Sequence, residues 1–229
     1  MSTRPDLTGL ARMIDHTLLA PESTAADAVA VCADAVRLGV GGVCISPTYV
    51  PLVAAELAGA AAVVTVCGFP SGAHVVRTKV REAARAVADG ADEVDLVANL
   101  GLVKDGDYAA LEREIAAVVG AVDGRVVKVI IESAVLRDAE IVDACRTAVA
   151  AGARSVKTST GFHAAGGAST HAVALMRRTV GRDFGVKASG GIRTTAAALA
   201  MVESGADRLG CSATEAILAG LAHAGSAQV

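Results

Sequence analysis

The chain has 229 residues, 53% of them hydrophobic and 20% charged, which is ample apolar material for one large core. Aromatic residues make up only 2%, so that core must be built from Ala, Val, Leu and Ile, as suits parallel strands covered by helices. A formal charge of −3 argues against a nucleic-acid binder. The N-terminal run carries no signal-peptide core, and the most apolar stretch, 57–76, is broken by Gly59, Gly68, Pro70 and Gly72, a poor membrane helix. Five cysteines without a CxxC pair read as reduced thiols in a cytoplasmic protein.

In chain order, strands are predicted at 13–17, 42–46, 62–67, 93–98, 126–131, 155–158, 185–188 and 207–210. Helices are predicted at 25–38, 48–57, 75–89, 108–122, 139–150, 169–180, 195–203 and 214–221, with a short helix near the N-terminus. One joint recurs: a helix-like run closed by glycine, a tight turn, then a short apolar strand, as at Gly90-Ala91-Asp92-Glu93-Val94 and Gly152-Ala153-Arg154-Ser155-Val156. Eight strands each followed by a helix predict a (β/α)8 TIM barrel, a single domain over 1–229. A doubly wound open sheet has the same alternation and is the second choice.

Charged residues fall inside these apolar strands, where they are expensive unless paired or functional. They are Asp15, Asp95, Lys128, Lys157 and Lys187, joined by Cys44. Period-two alternation turns Ser155, Lys157 and Ser159 to one face, Lys128, Ile130 and Glu132 to one face, and Asp95 with Val97. The pattern is compatible with one shared cavity. A free lysine has a pKa near ~10.4, so under about 0.1% is nucleophilic amine at neutral pH. Burial and a neighbouring cation both disfavour the ammonium and can release an amine that attacks an aldehyde. Three glycine-bearing turns follow late strands: Thr158-Ser159-Thr160-Gly161, Ser189-Gly190-Gly191-Ile192-Arg193 and Gly210-Cys211-Ser212. Their backbone N–H groups suit a phosphate.

His16, His74, His163, His171 and His223 lack metal-ligand spacing. Arg77, Lys79, Arg81, Glu82 and Arg85 read as a solvated helix face.

With these motifs in view, the chain resembles the deoxyribose-phosphate aldolases. The matching segments are Ile14-Asp15-His16-Thr17-Leu18-Leu19, Val43-Cys44-Ile45-Ser46-Pro47, Val66-Cys67-Gly68-Phe69-Pro70-Ser71-Gly72 and Glu93-Val94-Asp95-Leu96-Val97. Lys128-Val129-Ile130-Ile131-Glu132, Val156-Lys157-Thr158-Ser159-Thr160-Gly161-Phe162 and Val186-Lys187-Ala188-Ser189-Gly190-Gly191-Ile192-Arg193 continue the match. The resemblance implies cleavage of 2-deoxy-D-ribose 5-phosphate to acetaldehyde and D-glyceraldehyde 3-phosphate, with no metal or organic cofactor, in a cytoplasmic dimer or tetramer. It implies Lys157 as Schiff-base lysine, Lys187 as the cation that lowers its pKa, and Asp95 in the proton relay. Asp15, Thr17, Cys44, Lys128 and Thr160 would line the substrate pocket. Gly161, Gly190, Gly191, Arg193, Gly210 and Ser212 would hold the phosphate. Where some members carry a lysine after the TSTG turn, this chain has Phe162; where some end in a tyrosine, it ends in Gln228-Val229. Two other functions fit the same residues: a Schiff-base lyase on a related sugar phosphate, and a non-catalytic sugar-phosphate-binding barrel.

Overall fold

A computed structural model describes residues 5–226; residues 1–4 and 227–229 of the predicted unit, and the side chain of His223, lie outside the described residues. The elements run α1 (Leu7–Arg12), β1 (Ile14–Leu18), α2 (Ala25–Leu38), β2 (Gly42–Ile45), α3 (Val50–Leu57), β3 (Ala62–Cys67), α4 (Val76–Ala88) and β4 (Glu93–Val97). They continue with α5 (Leu100–Asp105), α6 (Tyr108–Val119), β5 (Val126–Ile130), α7 (Asp138–Ala150), β6 (Ser155–Lys157), α8 (Thr170–Val180), β7 (Gly185–Ser189), α9 (Thr195–Glu203), β8 (Arg208–Cys211) and α10 (Thr214–Ser226). All neighbouring strands pair in parallel, and β8 pairs back to β1, closing the barrel in the order β1 to β8. Closure sets aside the open-sheet alternative.

The local chemistry explains the joints. Helix α2 starts at a capping box, Thr24 bonding the Asp27 amide while the Asp27 carboxylate accepts from the Thr24 amide. It ends at Gly39, whose left-handed backbone (φ 65°) turns the chain into β2. Helix α6 stops at Val119, before the predicted Val122, because Gly120 caps it. The short α5 was not foreseen: it is six residues long, capped by Asn99 accepting from the Gly101 amide and closed by Gly106.

Two apolar layers result. Outward-facing strand residues such as Val43, Val94, Leu96, Val129, Val156, Val186 and Leu209 pack on the helices in the main core. A smaller inner cluster, Leu19, Cys44, Val64 and Val66, joins Phe69 on one side of the interior. The other side of the interior is charged.

One expectation fails outside the barrel. Lys79 is fully buried, not solvated, while Arg77, Arg81 and Arg85 on the same helix are exposed. Its Nζ donates to Glu114 Oε1 (2.8 Å) and to the Val97 carbonyl (2.9 Å), linking α4 and α6 to the end of β4. A buried ion pair and a solvated charge cannot be told apart by helical spacing alone.

Candidate active site

The charged residues predicted on separate strands converge. Asp95 is fully buried and accepts from three lysines: Lys157 Nζ on Oδ2 at 2.8 Å, Lys187 Nζ on Oδ2 at 2.7 Å, and Lys128 Nζ on Oδ1 at 2.8 Å. The strand register causes this. Asp95 lies beside Lys128 across β4 and β5, and Lys157 beside Lys187 across β6 and β7. Lys187 also bonds Asp15 Oδ2, and Lys128 pairs with Glu93.

Glycine makes room for these long side chains. A Cβ at Gly42 would lie 2.8 Å from Asp15 Oδ1, and one at Gly210 would lie 3.2 Å from Lys187 Cε.

The electrostatics divide the lysines. Burial works against the Lys187 ammonium, but Asp15 and Asp95 outweigh it and hold its pKa above the usual lysine range. Burial likewise opposes the Lys128 ammonium, and Asp95, Asp15 and Glu93 overcome both that and the nearby Lys187. For Asp95 burial favours the neutral acid, yet Lys128, Lys157 and Lys187 drive its pKa well below the ordinary carboxylate value. Asp15 is held low against the same penalty by Lys187, Lys128 and Arg208. Lys157 bonds one carboxylate, and that oxygen is shared with Lys187. It is the least neutralised of the three ammonium groups.

It is also the one that meets the outside. A cavity of about 470 Å³ opens at the carboxyl ends of the strands. Lys157, Thr17, Thr160, Gly161, Gly190, Gly191, Arg193, Gly210 and Ser212 line it, with Leu18, Leu19 and Phe162 as an apolar wall. Asp15, Asp95, Lys128, Lys187 and Cys44 do not line it; they lie within the barrel. Asp15, Cys44 and Lys128, expected to line the substrate pocket, are buried inside the barrel and are not among the residues at the cavity surface. Alternation assigns a residue to the barrel interior but not to a depth along it. Burial pushes the Cys44 thiol up, against the opposing pull of Lys187 and Lys157.

A further residue belongs to the site, and its signal in the sequence was only its parity with Lys128. Glu132, two residues beyond β5, has a left-handed backbone (φ 52°) and is buried. Its Oε2 accepts from the Thr160 amide at 3.2 Å and from the Thr160 hydroxyl. Thr160 Oγ1 in turn accepts from the Phe162 amide at 3.1 Å. The turn after β6 is thus fixed from β5, and Ser189 Oγ ties it to β7 through the Ser159 carbonyl at 2.6 Å.

A lysine at the floor of a cavity, at the carboxyl end of a closed parallel barrel, is the arrangement of a barrel enzyme. Comparison with known proteins agrees. The DeoC/LacD family aldolase profile matches residues 10–223. A deoxyribose-phosphate aldolase of Corynebacterium diphtheriae is 56% identical over 219 residues, covering 95% of this chain and 98% of that protein. One from Kocuria rhizophila is 56% identical, covering 96% and 99%. Among solved structures, the tetrameric deoxyribose phosphate aldolase of Aeropyrum pernix superposes with a TM-score of 0.88 at 31% identity, covering 98% of this chain and 94% of that one. The chain belongs to the DeoC/LacD aldolase family, and is a lyase. No helix among the described residues is long and apolar enough to cross a membrane.

Proposed function

We propose that this chain is a class I aldolase that reversibly cleaves 2-deoxy-D-ribose 5-phosphate to D-glyceraldehyde 3-phosphate and acetaldehyde, with Lys157 forming the Schiff base. The single observation behind this reading is that Lys157 alone of the three clustered lysines lines the cavity, with one shared carboxylate partner.

As a neutral amine, Lys157 can still donate one N–H to Asp95 Oδ2 and keep its lone pair for the C1 aldehyde. Attack and loss of water give the iminium. The C3 hydroxyl then loses its proton, the C2–C3 bond breaks toward the iminium, and D-glyceraldehyde 3-phosphate leaves. The remaining enamine is protonated at C2 and hydrolysed to acetaldehyde, freeing the amine. Asp95 and Lys187 stand directly behind Lys157 and move these protons through water. Lys187, held cationic, disfavours a second charge on Lys157.

The phosphate sits against Gly161, Gly190, Gly191, Gly210 and Ser212, with Arg193 as its charged partner. The starts of α9 and α10, just beyond the β7 and β8 turns, add positive dipole ends. Thr17 and Thr160 contact the sugar. We read the chain as one catalytic domain without metal or organic cofactor, working in the cytoplasm in deoxyribose phosphate breakdown. A homo-oligomer follows the tetrameric relative.

Borohydride reduction in the presence of deoxyribose 5-phosphate, followed by peptide mass spectrometry, tests the reading. An adduct on Lys157 supports it. Binding without an adduct favours the non-catalytic barrel, and release of an aldehyde other than acetaldehyde favours a related lyase.

A further inference from the structure

The charged network does not end at the lysines. Arg208, at the start of β8, is the register partner of Lys187 and sits toward the amino-terminal end of the barrel, away from the cavity. Its Nη1 lies 3.2 Å from Asp15 Oδ1, and its Nη2 donates to Glu93 Oε1 at 3.3 Å. Glycine builds the seat for the guanidinium, since a Cβ at Gly41 would fall 2.7 Å from Nη1. A continuous charged column therefore runs from Lys157 at the cavity through Asp95, Lys187 and Asp15 to Arg208, with Lys128 and Glu93 closing a loop beside it.

With every group ionised, this column holds four cations (Lys128, Lys157, Lys187, Arg208) and three anions (Asp15, Glu93, Asp95). Lys128, Lys157, Lys187, Asp15 and Asp95 are 0–3% exposed, with Glu93 and Arg208 at the rim; excess charge so deeply buried is costly, and losing one proton removes it. Arginine does not lose its proton in proteins. Lys187 bonds two carboxylates and Lys128 reaches three within 4.0 Å, whereas Lys157 has one. The nearby thiols add no charge at neutral pH, because burial pushes Cys44 up and Cys211 up to about 12. Two further carboxylates lie outside the column: Glu132, two residues beyond β5, accepts from the Thr160 amide and hydroxyl, and Asp207, preceding β8, pairs with Arg177.

We infer that Arg208 is a positioning residue: its fixed charge at the far end of the barrel puts this column one cation over balance and makes Lys157 the group that yields a proton. The inference rests on the reading of Lys157 as nucleophile. Neutralising Arg208 would leave three cations facing three anions with Lys157 still protonated, so the free amine would become scarcer at neutral pH. Neutralising Glu93 would do the reverse.

The test measures the rate of borohydride trapping by deoxyribose 5-phosphate between pH 5 and 10, with the Lys157 peptide as readout and thermal melting in parallel. In Arg208→Met the acid limb should move up by about one pH unit. Arg208→Lys should restore it, and Glu93→Gln should move it down. A merely structural Arg208 would lower the melting temperature and leave the limb where it is, which overturns the inference. Shifts of the same sign in Arg208→Met and Glu93→Gln also overturn it; if Arg208→Met folds poorly, Glu93→Gln decides alone, and a limb that stays put or moves up in that variant overturns the inference. A parent enzyme that traps no adduct on Lys157 brings down the Schiff-base reading and the inference with it, whereas an unmoved limb in a trapping enzyme defeats the inference alone.

Discussion

Lys157 and Lys187 donate to the same oxygen, Asp95 Oδ2, at 2.8 and 2.7 Å, so their nitrogens are no farther apart than two hydrogen-bond lengths. The two differ in what else they touch. Lys187 also bonds Asp15, and Lys157 faces the cavity. Removing each should therefore have a different cost. Lys157→Leu should reduce turnover by roughly 10³-fold or more, yet leave stability little changed, because Asp95 keeps Lys128 and Lys187 as its partners. Lys187→Leu should also abolish turnover, and should destabilise by about 3–5 kcal/mol, because Asp15 and Asp95 lose a shared partner. Urea denaturation beside steady-state rates checks the pair; equal destabilisation in both variants would contradict it.

The same network fixes how stability depends on pH. Asp95 and Asp15 have folded pKa values below their unfolded ones, so their stabilisation is present above the unfolded value of roughly 3.9 and is lost as pH falls below it. Lys187 and Lys128 are raised, so their contribution is complete below the unfolded value of about 10.4 and is lost as pH climbs past it. Denaturation midpoints should form a plateau across neutral pH, with a fall below about pH 4 and another above about pH 10. In Asp95→Asn both edges should flatten, since the anion that depends on three cations is gone.

Much of this was legible in the chain. Glycine-closed joints gave the alternation of helix and strand, the count of eight strands pointed to a barrel, and two-residue alternation grouped Lys157 with Ser155, Lys128 with Ile130, and Asp95 with Val97 in a pattern that fits one interior. Depth along the barrel was not legible. Asp15, Cys44 and Lys128 share the interior with Lys157, but strand tilt and register decide which side chains reach the cavity, and both depend on all eight strands together. Glu132 was hidden because its backbone leaves the strand conformation at φ 52°, so its side chain is aimed by a turn rather than by the pleat. Lys79 was misread because its partner Glu114 lies 35 residues away on another helix.

That misread pair yields its own prediction. Lys79 and Glu114 are 0% and 1% exposed, and Glu114 Oε1 also accepts from the Asn99 amide at 3.1 Å. The pair therefore holds the chain where it leaves β4, four residues beyond Asp95. Lys79→Met should cost about 3–5 kcal/mol by leaving a buried carboxylate without its cation. The double variant Lys79→Met, Glu114→Leu should recover part of that loss but not all, because the Asn99 amide loses its acceptor. A double-mutant cycle in urea measures the coupling, and simple additivity would show that the two side chains do not depend on each other.

At the cavity mouth, Phe162 packs edge-on against Phe69, with ring centroids 5.1 Å apart and planes at 84°. The ring remains half exposed and forms part of the cavity wall. Arg193 is the cationic side chain among the lining turns proposed to hold phosphate, so a second cation at position 162 should strengthen that grip. Phe162→Lys should lower KM for the phosphorylated substrate by up to about tenfold at low salt, equivalent to roughly 1.4 kcal/mol. The gain should shrink as ionic strength rises, because an exposed charge is screened over about 8–10 Å near physiological salt. Phe162→Ala separates the two contributions: it should lose about 0.5–1.5 kcal/mol of stability with the aromatic pair and leave the salt dependence of KM unchanged. If Phe162→Lys leaves KM unmoved at low salt while the protein stays folded, the phosphate does not lie beside this turn, and its seat must be sought nearer the β8 turn at Gly210 and Ser212.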